Sequence, residues 1–169
     1  MASSAFRTVL TLPMILAFMG PLSSCGTEHS KQRAAVSKLN ELVGKANEAA
    51  QFGRPWRDAN DTVPESVLQK MQDYNVAFVR ESNDIDVEVL NAVYPNLGVM
   101  FRDKFVKSMS MSVEVADQWI NVRRSGGKLV MTPELQQNVD DSKRLENEWA
   151  VWFNSHFDDI NKALSRTDP

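Results

Sequence analysis

One cysteine, two histidines and two tyrosines stand among 169 residues. A single cysteine forms no disulfide within the chain and no cysteine-ligated metal cluster. The glycines build no phosphate loop. Gly126-Gly127 sits in a turn without the lysine and hydroxyl residue that a P-loop requires. No Gly-x-Ser-x-Gly elbow occurs. Basic excess is missing too: 19 Lys and Arg face 22 Asp and Glu, a formal net charge of −3. That balance gives no nucleic-acid footprint. Beyond residue 24 no apolar run is long enough to cross a membrane. Asp58, Asn60 and Thr62 resemble the start of a calcium loop only superficially. The glycine needed at the sixth position is Val63, and the acid needed at the twelfth is Gln69.

The one strongly apolar run lies at the N-terminus. Arg7 is its single charge. Thr8 to Leu22 follow uncharged and rich in Leu, Val, Ile, Met and Phe. A spanning helix needs about 20 residues. A secretory signal core needs about 7 to 15. Pro13 and Gly20-Pro21 also argue against one unbroken helix. The run therefore reads as a signal peptide over residues 1–24.

Leu22, Ser23, Ser24 and Cys25 close that run. An aliphatic residue, two small residues and a cysteine in this order resemble the lipobox of the bacterial lipoproteins. The resemblance covers roughly the first 26 residues. It implies a diacylglycerol on the Cys25 sulfur, cleavage just before it, and acylation of the new amino terminus. Gly26 stands where an aspartate would, in the enteric-type sorting rule, favour the inner membrane. The implied location is the outer membrane facing the periplasm, if the organism is Gram-negative. Two other readings of these residues remain: a buried thiol in a core helix, and ordinary signal cleavage near an unmodified Cys25. Three acyl chains would hold the protein on a membrane almost permanently, since one chain alone holds weakly.

The rest is organised as a tether over 25–30 and one helical domain over 31–169. The length suits a single domain with its own core. Without its signal the chain keeps all its acids and loses Arg7, for a formal charge of −4. Helix one is expected from about Lys31 to Phe52, on the spacing of Val36, Leu39, Val43, Ala46 and Ala50. Gly53-Arg54-Pro55 stops it. Thr62-Val63-Pro64-Glu65 opens helix two, a cap followed by a first-turn proline and an acid. Ser82-Asn83-Asp84 ends it and caps helix three, which starts near Ile85 and breaks at Pro95. A new helix restarts at Pro95 and runs to about Met109. Val99, Met100, Phe101, Phe105 and Val106 make it the expected centre of the core, with Gly98 admitting a close neighbour. Ser110 or Ser112 caps the next helix, which ends at Arg123-Arg124. Ser125-Gly126-Gly127 is a turn. Lys128 to Met131 is a short apolar segment without a partner strand. Thr132-Pro133-Glu134 opens the last helix, to about Ser165. Its stripe of Leu145, Trp149, Trp152, Phe153, Phe157 and Ile160 is expected against helices one and three. The fold class is all-α, a bundle of five or six helices.

Chemistry-bearing residues are sparse. His29 falls in the tether. His156 lies on the aromatic stripe, where only Asp159 stands one turn away as a possible co-ligand, so it reads as a boundary residue. Ser155 beside it is a neighbour in sequence, and helix neighbours do not face each other. Asp140-Asp141 and Asp158-Asp159 read as solvated faces, as do Lys143, Arg144, Glu146 and Glu148. Arg102, Lys104 and Lys107, with Arg123, Arg124 and Lys128, suggest a basic patch near one end of the bundle or charges balancing helix dipoles. Trp119 and Trp152 read as core, and Trp56, beside Arg57 in a loop, as an exposed contact.

These residues favour an interaction protein over an enzyme. A lipid-anchored helical domain would bind an envelope or secreted protein partner, of the immunity, secretion-assembly or surface-exclusion type. Trp56, Arg57, Arg123 and Arg124 are the candidate binding residues. The alternative is a small-ligand or lipid-binding module with the aromatic stripe lining a pocket between helices. An enzyme, such as an unrecognised hydrolase, would need a site that the sequence does not display. No cofactor, metal or nucleic-acid partner is expected.

Overall fold

The computed structural model describes residues 27–53, 63–127 and 130–165, and every described element is helical. The expected signal peptide, Cys25, Thr62 and the segment expected to place Trp56 and Arg57 in a loop lie outside these residues. Helix α1 spans Thr27–Gly53, α2 Glu65–Ser82 and α3 Val87–Val93. A continuous helical rod follows, made of α4 (Leu97–Met100), a π-helical segment (Phe101–Val106) and α5 (Lys107–Arg124). Helix α6, Pro133–Ser165, closes the bundle and at 33 residues is about 50 Å long. The all-α bundle is the architecture that the helical periodicities predict.

Helix α1 begins four residues before Lys31, so residues 27–30 of the expected tether, His29 included, are helical. Helix α3 is capped by Asp86, not by Ser82-Asn83-Asp84. The Asp86 carboxylate accepts from the Glu88 N–H at 2.9 Å and the Val89 N–H at 3.3 Å, which satisfies two N–H groups that the first turn leaves open.

Pro95 breaks the chain as expected, and Asn96 turns it through a left-handed conformation (φ 66°). The restart comes at Leu97. Its open N–H groups are met from outside: Asn91 Oδ1 accepts from Gly98 N at 2.9 Å and Val99 N at 3.3 Å. Gly98 is needed here, because a Cβ would collide with the backbone carbonyl of Val87.

The expected helix start at Ser110 or Ser112 does not exist. The rod runs through both serines. Ser110 donates to the Val106 carbonyl and Ser112 to the Ser108 carbonyl, each one turn back. This back-bonding competes with capping and leaves the helix intact. At α2, Pro64, expected in the first turn, is instead the N-cap residue before Glu65. The readings at Ser125-Gly126-Gly127 and Thr132 hold. After α5, Gly126 N donates to the Arg123 carbonyl and Gly127 N to the Val122 carbonyl, both at 3.0 Å, with Gly126 at φ 69°. That is the Schellman arrangement. Thr132 Oγ1 accepts from Leu135 N at 3.1 Å and opens α6.

The core has two parts. The larger gathers Leu39 and Leu42 of α1, Phe78 of α2, Leu90 of α3, Phe101 and Phe105 of the π segment, and Trp149 and Phe153 of α6. The smaller packs Val63, Val67, Trp119, Ile120 and Leu135 where α2, α5 and α6 meet. The aromatic stripe of α6 meets chiefly the π segment: Trp149 lies 6.0 Å from Phe101 and 5.6 Å from Phe105, centroid to centroid. The end of α3 joins through Tyr94, 6.2 Å from Trp152. Outside the rings, Glu81 of α2 clamps α1 by accepting from Lys38 at 2.9 Å and Lys45 at 2.7 Å.

Candidate functional site

The π segment and the middle of α6 leave an open groove between them, about 550 Å³ in volume. Its apolar lining is Met100, Val151 and Trp152, and its polar lining includes Lys104, Glu148 and Ser155. Two features of local folding build it. At the end of the π segment the Lys107 N–H reaches back five residues to the Arg102 carbonyl. Such wide turns recur at functional sites. Opposite, α6 turns Trp149 and Phe153 fully inward and Val151 outward, with 61% of its surface exposed.

One ion pair crosses the groove and continues along α6. Lys104 donates to Glu148 at 2.6 Å, Arg144 donates to the same carboxylate at 2.7 Å, and Arg144 also reaches Asp141 at 3.0 Å. The hydrogen bonds from Lys104 and then Arg144 hold the Glu148 carboxyl below the usual range. Asp141 is lowered by Gln137 first and Arg144 second. These groups are exposed or half-exposed, so they orient the surface more than they stabilise it.

His156 stacks on Trp152 with centroids 4.8 Å apart and lies 5.7 Å from Tyr94. Its Nδ1 sits 2.7 Å from the Trp152 carbonyl, so that nitrogen carries the proton and donates. Ser155 Oγ lies 3.0 Å from the same nitrogen and also donates to the Trp152 carbonyl at 2.8 Å. Sequence neighbours thus do meet here, because both reach back to one carbonyl. The pair is no nucleophile and base: the nitrogen that faces the hydroxyl is already protonated. His156 is half-buried, as a boundary residue should be.

The basic patch is not one surface. Lys107 and Arg124 stand at opposite ends of α5, about 25 Å apart. Arg124 is engaged with Glu65 at 2.9 Å and Gln69 at 2.9 Å, and Arg102 with Asp103 at 2.7 Å. Arg123, next to Arg124 at the end of α5, is half-buried. Arg123 and Arg124 therefore sit together on the α5 terminus, remote from the groove. Trp56, Arg57, Cys25 and Lys128 lie outside the described residues. Trp119 is core, as expected, while Trp152 is only partly covered. Among the described residues no three His, Cys, Asp or Glu side chains converge as metal ligands, and no helix is long and apolar enough to cross a membrane.

Two features escaped sequence reading. Between α5 and α6 runs a polar seam: Ser142 Oγ donates to the Ser108 carbonyl at 2.9 Å and lies 2.9 Å from Ser112 Oγ. One turn along α6 comes Glu146, expected to be solvated. Its side chain is half-buried, and that burial pushes its pKa up to about 7. The spacing Ser108, Ser112 and Ser142 carries no signal by itself, and Glu146 is surrounded in sequence by charges that do face water.

No family model, curated protein or solved structure matches this chain.

Proposed function

We propose that this chain is a lipid-anchored envelope lipoprotein whose helical domain binds a protein partner. The observation that carries the anchor is Leu22-Ser23-Ser24-Cys25 directly after an uncharged apolar run. The observation that favours protein binding is the face around Val151: an exposed valine and a partly covered tryptophan beside an open groove, rimmed by ordered charges. Interfaces combine an apolar centre with a polar rim in this way. The partner class follows from the location, an envelope or secreted protein of the immunity, secretion-assembly or surface-exclusion type.

The same groove supports a second reading, a small hydrophobic ligand held against Met100 and Trp152. Its polar rim and open form suit a protein surface better than an enclosed ligand.

The test is crosslinking in cells from a photoreactive residue at position 151, in the full chain and in its Cys25→Ala form. A discrete protein adduct from the anchored form supports the reading. Absence of any protein adduct, with a hydrophobic molecule retained on purification, favours the ligand reading instead.

A further inference from the structure

The outward face of α6 carries a charge pattern that matches itself when reversed. Counting from Val151, Arg144 stands seven residues before and Asp158 seven after, while Asp140 stands eleven before and Lys162 eleven after. Steps of seven and eleven come within roughly 20° of whole helical turns. All five residues therefore share one face, and all five are exposed. The neutral Asn147, Asn154 and Ser155, also exposed, lie between, with the half-exposed Glu148, held by Lys104 and Arg144, at one edge.

Two such helices laid antiparallel, with a two-fold axis through Val151, bring each residue opposite its mirror position. Arg144 of each copy meets Asp158 of the other, and Asp140 meets Lys162. A parallel arrangement would set Arg144 against Arg144 and Asp158 against Asp158, so the pattern selects the antiparallel one. The bonds that Arg144 makes within its own helix, to Asp141 and Glu148, are exposed and readily shared. Beside the axis, the groove offers the incoming valine an apolar seat against Met100 and Trp152.

We infer that α6 pairs antiparallel with α6 of a second copy of this chain, forming a two-fold dimer centred on Val151. The inference rests on the protein-binding reading above and names the occupant of the same face. The contact is isologous, as closed two-fold dimers are. It is mostly polar, so the dimer is weak and salt-sensitive. Confinement on a membrane would raise its population, because tethering raises effective concentration.

The test is sedimentation of the full chain in nonionic detergent at low and high salt, for the wild type, Arg144→Glu, Asp158→Arg and the double variant. Each single swap places like charges at two symmetric contacts and should weaken the dimer about tenfold. The double swap should restore it. Circular dichroism checks that helicity is kept. As an independent measure, Val151→Cys should form a disulfide-linked dimer on oxidation above the background set by Cys25 alone. Lys162→Cys should not, since its two copies would lie roughly 33 Å apart. Monomers at every concentration, single swaps without effect, or equal crosslinking at both positions would overturn the dimer. A foreign protein captured at position 151, without self-association, would overturn it and leave the protein-binding reading standing. Capture of neither would remove both.

Discussion

The Phe105 ring lies face to face with the Trp149 indole, 5.6 Å between centroids and 5° from parallel. One comes from the π segment and the other from α6, so this stack joins the rod to the closing helix. Phe78 reaches the same ring from α2, with its centroid 5.0 Å from that of Phe105. Trp149 has no exposed surface. Trp149→Ala should therefore lower stability by about 3–5 kcal/mol, measured by urea unfolding. A loss under about 1 kcal/mol would mean that the core is held elsewhere.

Gly98 and Gly44 differ in the space around them. A Cβ at Gly98 would run into the Val87 backbone, whereas a Cβ at Gly44 meets nothing within 4 Å. Gly98→Ala should destabilise by about 1–3 kcal/mol through overpacking. Gly44→Ala, inside α1, should stabilise by up to about 1 kcal/mol. Thermal melts of the two variants should shift in opposite directions.

Glu146 makes stability fall as pH rises. Burial lifts its pKa from 4.5 to about 7, so the folded state holds this proton more tightly than the unfolded chain. Its contribution is complete below about pH 4.5 and is lost as pH climbs to about 7. The full swing is about 3 kcal/mol. Glu146→Gln should flatten the unfolding free energy across that window. An unchanged slope would place the carboxyl in water.

Glu81 acts on the other side. Hydrogen bonds from Lys45 and then Lys38 lower its pKa from 4.5 to about 2. The clamp's stabilisation is present above about pH 4.5 and is lost as pH falls towards 2. Glu81→Gln should reduce the acid sensitivity of unfolding between those values and lower stability in the neutral range, where the clamp is otherwise present. The same slope in variant and wild type would show that the clamp contributes nothing.

Helix periodicity, the proline break at Pro95, the turn at Gly126-Gly127 and the Thr132 cap were readable because each depends on residues close in sequence. The Asn91 cap on Gly98 and Val99 was not, since it comes from another helix. Ser110 and Ser112 misled for a related reason: a serine that caps and one that back-bonds to its own helix look alike until packing decides. Glu146 and the scattering of the basic residues along α5 likewise depend on which face of a helix meets its neighbour. The groove was invisible because no motif marks it: Trp152 reads as a stripe residue, and Val151 falls outside the stripe and stands in no pattern. The proposed anchor rests on four consecutive residues, Leu22-Ser23-Ser24-Cys25, which lie outside the described structure.

That anchor is the most direct point of attack. The measurement is metabolic labelling with an alkyne-bearing fatty acid in a bacterial host, with membrane fractionation, for the full chain and Cys25→Ala. The account predicts label on the wild type alone, in the membrane fraction, with the unlabelled variant released or retained as its precursor. An unlabelled wild type, or equal label on both forms, would contradict it.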